Sequence, residues 1–143
     1  MFIIPWLILG GIAFIVIKSL IDFIRGGRFR TEMRDAGFSL DLFYSLVIIF
    51  IIVITGFGLI YFILSFQGII LVEHGELRQV SVLGTLIHSL YFSGVTMLTI
   101  GYGDITPIGI GRLIAVLQAL IGYILPTAFV LRLVQRGQRS RNE

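Results

Sequence analysis

The chain has 143 residues, 57% of them hydrophobic and 13% charged, with a mean hydropathy of +1.01. A soluble domain does not carry that composition, so the sequence reads as one small integral membrane domain. Cysteine is absent, which excludes disulfides and thiolate-held metals. The net charge of +3 comes mainly from two arginine clusters, and in a membrane protein such clusters report orientation rather than nucleic-acid binding.

A membrane-crossing helix needs about 20 apolar residues. Residues 2–24 come close. Phe2 to Ile17 is uncharged, and Lys18 and Asp22 lie near one end, where a lysine reaches the interface. No basic stretch precedes the run and no small-x-small site follows it, so it does not read as a signal peptide. Gly10, Gly11 and the polar end leave two placements open, a spanning helix or one lying in the interface. Residues 25–41 bring Arg25, Arg28, Arg30 and Arg34, which mark a cytoplasmic side. Ser39 is placed to cap the next helix, with Asp41 in its first turn.

Residues 42–66 are uncharged and rich in Ile, Phe and Leu, a second span in which Gly56 and Gly58 permit close helix contact. Residues 67–84 are a polar loop with Glu73, His74, Glu76 and Arg78, poorer in arginine and therefore read as outer. Residues 85–98 predict a helix too short to cross, capped by Thr85. Residues 111–134 are a third span, and the basic run Arg132, Arg136, Arg139 and Arg141 puts its end in the cytoplasm.

Between the short helix and the last span lies Thr99-Ile100-Gly101-Tyr102-Gly103-Asp104. Backbone at membrane depth must be hydrogen-bonded or line a watery cavity. Two glycines spaced by one residue suit a strand whose carbonyls point at a dehydrated cation, because Gly101 and Gly103 accept positive φ. Thr99 adds a hydroxyl oxygen at the inner end.

The run from Tyr91 through Asp104 to Pro107 resembles the potassium-channel pore family. The family pattern Thr-x-x-Thr-(Val/Ile)-Gly-Tyr-Gly-Asp is met from Thr96 to Asp104. The resemblance covers roughly residues 40–135 by helix order and is specific only over 91–107. It implies an all-α membrane fold of outer helix, pore helix, selectivity filter and inner helix, here with an extra N-terminal membrane helix. One chain supplies one filter loop, so four copies are needed and a homotetramer follows. The division is then 1–38 (N-terminal helix and basic linker), 39–136 (pore domain) and 137–143 (basic tail).

The resemblance assigns K⁺ coordination to Thr99, Ile100, Gly101 and Tyr102, with Gly103 completing the filter. Tyr91, Val95, Thr96 and Asp104 support it. Many bacterial relatives carry a glutamate where Val95 stands, and usually a tryptophan where Tyr91 stands, so a Tyr91 hydroxyl bond to Asp104 is expected to tie the filter's outer end. Gly122 matches the family's hinge glycine, Pro126 adds a weak point in the helix, and Val130, Leu131 and Val134 are placed for an inner gate. Thr106 stands where relatives sensitive to external tetraethylammonium carry an aromatic ring.

A K⁺-selective, passive channel is therefore expected in a bacterial or archaeal plasma membrane, crossing it several times. Its partners are lipid and copies of itself, with neither nucleic acid nor a soluble partner indicated. The alternatives are a less selective cation pore of the same fold, against which Tyr102 argues, and a non-conducting subunit, against which the intact filter argues. No helix repeats arginine at every third position, so no voltage sensor is expected. His74 and His88 have no metal-ligand spacing, and no nucleophile has a partner base, so neither cofactor nor catalysis is expected and K⁺ enters only as the permeant ion.

Overall fold

The computed structural model describes residues 3–25, 40–68, 70–73 and 81–139. The Ser39 cap, most of the first arginine loop, His74 and the last four residues lie outside these. The elements run α1 (Ile3–Arg25), α2 (Leu40–Ser65), β1 (Leu71–Glu73), α3 (Val82–Met97), β2 (Ile105–Pro107) and α4 (Ile110–Arg139). The fold is mostly helical. Three helices, α1, α2 and α4, are long and apolar enough to cross a membrane. At 16 residues, α3 extends only about 24 Å, short of the roughly 30 Å hydrocarbon layer.

The helix ends correct the sequence reading in two places. Ser81, not Thr85, caps α3: its hydroxyl accepts the Gly84 amide at 3.2 Å. Thr85 lies one turn inside, where its own hydroxyl donates to the Ser81 carbonyl at 3.2 Å. The helix α2 begins at Leu40, the start that the expected Ser39 cap and first-turn Asp41 implied. The helix α4 continues to Arg139, past the expected end at 134, because glutamine and arginine sustain a helix after the apolar stretch stops.

An entirely α fold also needs correcting, since β1 and β2 form an antiparallel pair, Leu71 opposite Pro107, Val72 opposite Thr106 and Glu73 opposite Ile105. The Ile108 amide extends the contact to the Ile70 carbonyl at 2.7 Å. This small sheet anchors the segment leaving the Thr99–Gly103 loop to the segment leaving α2. Pro107 is tolerated because it occupies an end position of a very short strand.

The helix α2 is the centre, with α1, α3 and α4 packed on it. Its buried residues Ile49, Val53, Phe57, Ile60, Tyr61 and Leu64 follow helical spacing. Gly56 and Gly58, two residues and so about 200° apart around the helix, admit neighbours on opposite sides. Val16 of α1 fills the space a Cβ at Gly56 would occupy, and the Leu90 side chain of α3 comes within 2.6 Å of a Cβ built at Gly58. The Tyr61 and Phe92 rings meet edge to face at 5.1 Å. Along α1, Leu9, Ile12, Val16 and Leu20 form the stripe against this core. On α4 the apolar residues Leu113, Val116, Leu117, Leu120, Tyr123 and Ile124 remain exposed in the single chain.

Candidate functional site

The site begins where α3 ends. A helix leaves its last four carbonyls without intrahelical donors. Here the following loop turns back and supplies donors to two of them. The Thr99 amide donates to the Thr96 carbonyl at 3.1 Å, and the Ile100 and Gly101 amides both donate to the Val95 carbonyl, at 2.9 and 3.3 Å. Val95 thus touches the loop through its backbone, while its side chain is buried. The negative end of the α3 dipole faces the loop it holds.

Positive φ occurs at Thr99 (56°), Gly101 (57°) and Gly103 (80°), with Ile100 and Tyr102 between them on the ordinary side. In an extended strand successive carbonyls point to opposite sides. Inverting the hand at every second residue is the backbone pattern that would turn them to the same side. Glycine takes this conformation without penalty, whereas a β-branched threonine there is strained by about 1–3 kcal/mol. Thr99 is the only non-glycine residue with positive φ among the described residues. Sequence reasoning expected the two glycines in this conformation and missed the threonine. The Ile100 and Tyr102 side chains are exposed in the single chain, Tyr102 with 69% of its surface.

Asp104 closes the outer end. Its Oδ2 accepts the Tyr91 hydroxyl at 2.8 Å and its Oδ1 accepts the Ile105 amide at 3.0 Å. The bond expected between Tyr91 and Asp104 is therefore present. It raises the Tyr91 phenol above its ordinary pKa, because the neutral hydroxyl is the donor the carboxylate needs. Ile105 is buried beneath the sheet, and Arg112 Nε donates to the Pro107 carbonyl at 3.3 Å.

Below the loop, Gly122 of α4 lies directly against Met97, the last residue of α3. A Cβ at Gly122 would overlap the Met97 carbonyl oxygen. Four residues on, Pro126 lacks the amide hydrogen that would bond the Gly122 carbonyl, yet α4 continues through it as one helix. Val130, Leu131 and Val134 are exposed on α4, beginning about 12 Å past Gly122 along the axis by helical rise. They lie apart from the loop.

Sequence reasoning missed a buried polar group that joins the three helices of this region. Tyr61, Ser93 and Gln118 are each fully buried. The signal was present: Gln118 is the one amide side chain between Leu113 and Val134, and an interrupting polar residue in a span invites a functional explanation.

Comparison with known proteins agrees with this geometry. The family described as "ion channel" matches residues 48–139. The chain belongs to the ion channel family. Two curated proteins of similar sequence are both named Protein LctB. The one from Bacillus caldotenax is 43% identical over 97 residues, covering 67% of this chain and 72% of that protein. The one from Geobacillus stearothermophilus is 43% identical over 102 residues, covering 71% and 76% respectively. No solved structure matches the chain significantly. Membership of the ion channel family makes this a membrane transport protein, and the matched region begins in α2 and takes in α3, the Thr99–Gly103 loop and α4.

Proposed function

We propose that this ion-channel chain assembles as a homotetramer and conducts K⁺ passively and selectively through a ring of four Thr99–Gly103 loops. The observation that carries the reading is the alternating hand of the backbone from Thr99 to Gly103 at the carbonyl end of α3. Four such rows of oxygens would replace the water around a potassium ion. Thr99, Ile100, Gly101 and Tyr102 would form the ion sites, and Gly103 would complete the outermost turn. Tyr91, Val95, Thr96 and Asp104 would hold the loop in place. The exposed Ile100 and Tyr102 side chains and the exposed apolar face of α4 are the surfaces that neighbouring copies would cover.

Residues 39–136 would be the pore unit, with 1–38 a membrane helix and linker and 137–143 a basic tail. The arginine clusters favour a cytoplasmic start of α2 and end of α4. With α1 crossing beside α2, the chain would make three spans and begin outside a bacterial or archaeal plasma membrane. Gly122 and Pro126 would set where α4 yields, and Val130, Leu131 and Val134 would form an apolar constriction able to close by dewetting.

Gly103→Ala tests the filter. A Cβ at a φ of 80° is strained whatever the space around it. Loss of K⁺ over Na⁺ discrimination in that variant supports the carbonyl ring. Wild-type discrimination would reject it.

A further inference from the structure

Gln118 lies in the first third of α4 and is wholly buried. Its Oε1 accepts the Tyr61 hydroxyl of α2 at 3.0 Å. Its Nε2 donates to the Ser93 carbonyl of α3 at 2.9 Å and to Ser93 Oγ at 2.7 Å. Ser93 Oγ donates onward to the Ile54 carbonyl of α2 at 2.7 Å. A glutamine amide offers two donor hydrogens and one carbonyl, and all are engaged. The orientation follows from the partners, because a reversed amide would set Oε1 against the Ser93 carbonyl with no hydrogen between them.

Gln118 and Gly122 are one turn apart on α4, and the residues facing them, Ser93 and Met97, are one turn apart on α3. The inner helix therefore grips α3 twice, once by hydrogen bonds and once by backbone contact. The lower grip is two residues from Thr99. Hydrogen bonds are short and directional, and a fully satisfied network in an apolar interior is either formed or costly to leave open.

From this we infer that Gln118 is a positioning residue that locks α4 to α3, so that the order of the Thr99–Gly103 loop depends on where α4 stands. Its consequence for conduction rests on the channel reading above. Movement of α4 that parts Gln118 from Ser93 leaves α3 held from the α2 side alone, and the loop loses its row of aligned oxygens. Tyr61 fixes the amide from the α2 side, so α2 is the stationary reference.

Gln118→Met keeps the side-chain volume and removes all three bonds. Amide hydrogen exchange is measured on the purified full chain in liposomes. Exchange over residues 93–104 should rise by about tenfold, the scale of one or two lost net hydrogen bonds, with α1 unchanged. Tyr61→Phe removes one bond and should give a smaller rise over the same residues. Combined with Gln118→Met it should add nothing, because its partner is already gone. Single-channel bursts should shorten in the same order while the reversal potential holds. Exchange over 93–104 within about twofold of wild type in Gln118→Met, or full additivity of the two substitutions, would overturn the lock. If Gln118→Met does not fold, Tyr61→Phe and Ser93→Ala decide by the same localised exchange. Exchange is read without ion flux, so a wild-type chain that fails to conduct removes the channel reading and still leaves the lock to be judged.

Discussion

Gly122 of α4 and Met97 of α3 meet backbone to backbone, with no room for a Cβ between them. The glycine serves first as a contact and only then as a flexible point. If flexibility were its whole role, Gly122→Ala would change helix stability by at most about 1 kcal/mol. Overlap with the Met97 carbonyl instead predicts a loss of about 1–3 kcal/mol, the usual cost of overpacking. Chemical denaturation of the purified chain in detergent checks this. A stability equal to or above wild type would show that α3 and α4 separate more easily than their packing implies.

The Tyr91–Asp104 bond gives the outer end of the loop a pH signature. Bonding to Asp104 raises the Tyr91 phenol above its ordinary value, so the folded state favours the neutral hydroxyl. That contribution is fully present below the ordinary phenol pKa of about 10 and is lost as pH rises through the higher folded value. Sustained K⁺ current should therefore decay faster in strongly alkaline solution. Tyr91→Phe should show the faster decay at neutral pH and no alkaline step. An unchanged alkaline step in Tyr91→Phe would assign it to another group.

Much of this site was legible from residue order alone. The three long apolar runs and the positive φ of Gly101 and Gly103 follow from local pattern, and the Tyr91–Asp104 bond was implied by the family resemblance. The β1–β2 pair was not legible, because two three-residue strands separated by the whole of α3 leave no turn signal between them. The Gln118 network was half legible. A lone amide in a span announces itself, but its partners depend on how α2, α3 and α4 rotate against one another. Thr99 defeats local reasoning for a different reason. Propensity argues against positive φ at a β-branched residue, and such violations gather where function overrides local preference.

Thr106 tests the exit segment. It is exposed and pairs with Val72 across the small sheet. Four aromatic rings at this position would cradle a quaternary ammonium ion through cation–π attraction, each worth about 0.5–1 kcal/mol at an exposed site. External tetraethylammonium should block the wild-type channel weakly and Thr106→Tyr at least about tenfold more strongly, since every 1.4 kcal/mol is a factor of ten. Strong block of the wild type would place another residue at the mouth.

The stripe Leu9, Ile12, Val16 and Leu20 runs along α1 for about three turns, which favours a helix crossing beside α2 over one lying flat in the interface. A cysteine at the exposed Ile3 position reports which holds. In intact cells Ile3→Cys should react with a membrane-impermeant thiol reagent added outside. Reaction only after the cytoplasmic face is opened would remove the third span.

Ion selectivity bears most directly on the whole reading. Purified wild-type protein is reconstituted in planar bilayers with K⁺ on one side and Na⁺ on the other, and the reversal potential is recorded. A row of same-facing carbonyls from Thr99 to Gly103 predicts current carried by K⁺, with a reversal potential displaced strongly toward the K⁺ equilibrium value. A reversal potential near zero, with K⁺ and Na⁺ carrying equal current, would contradict it.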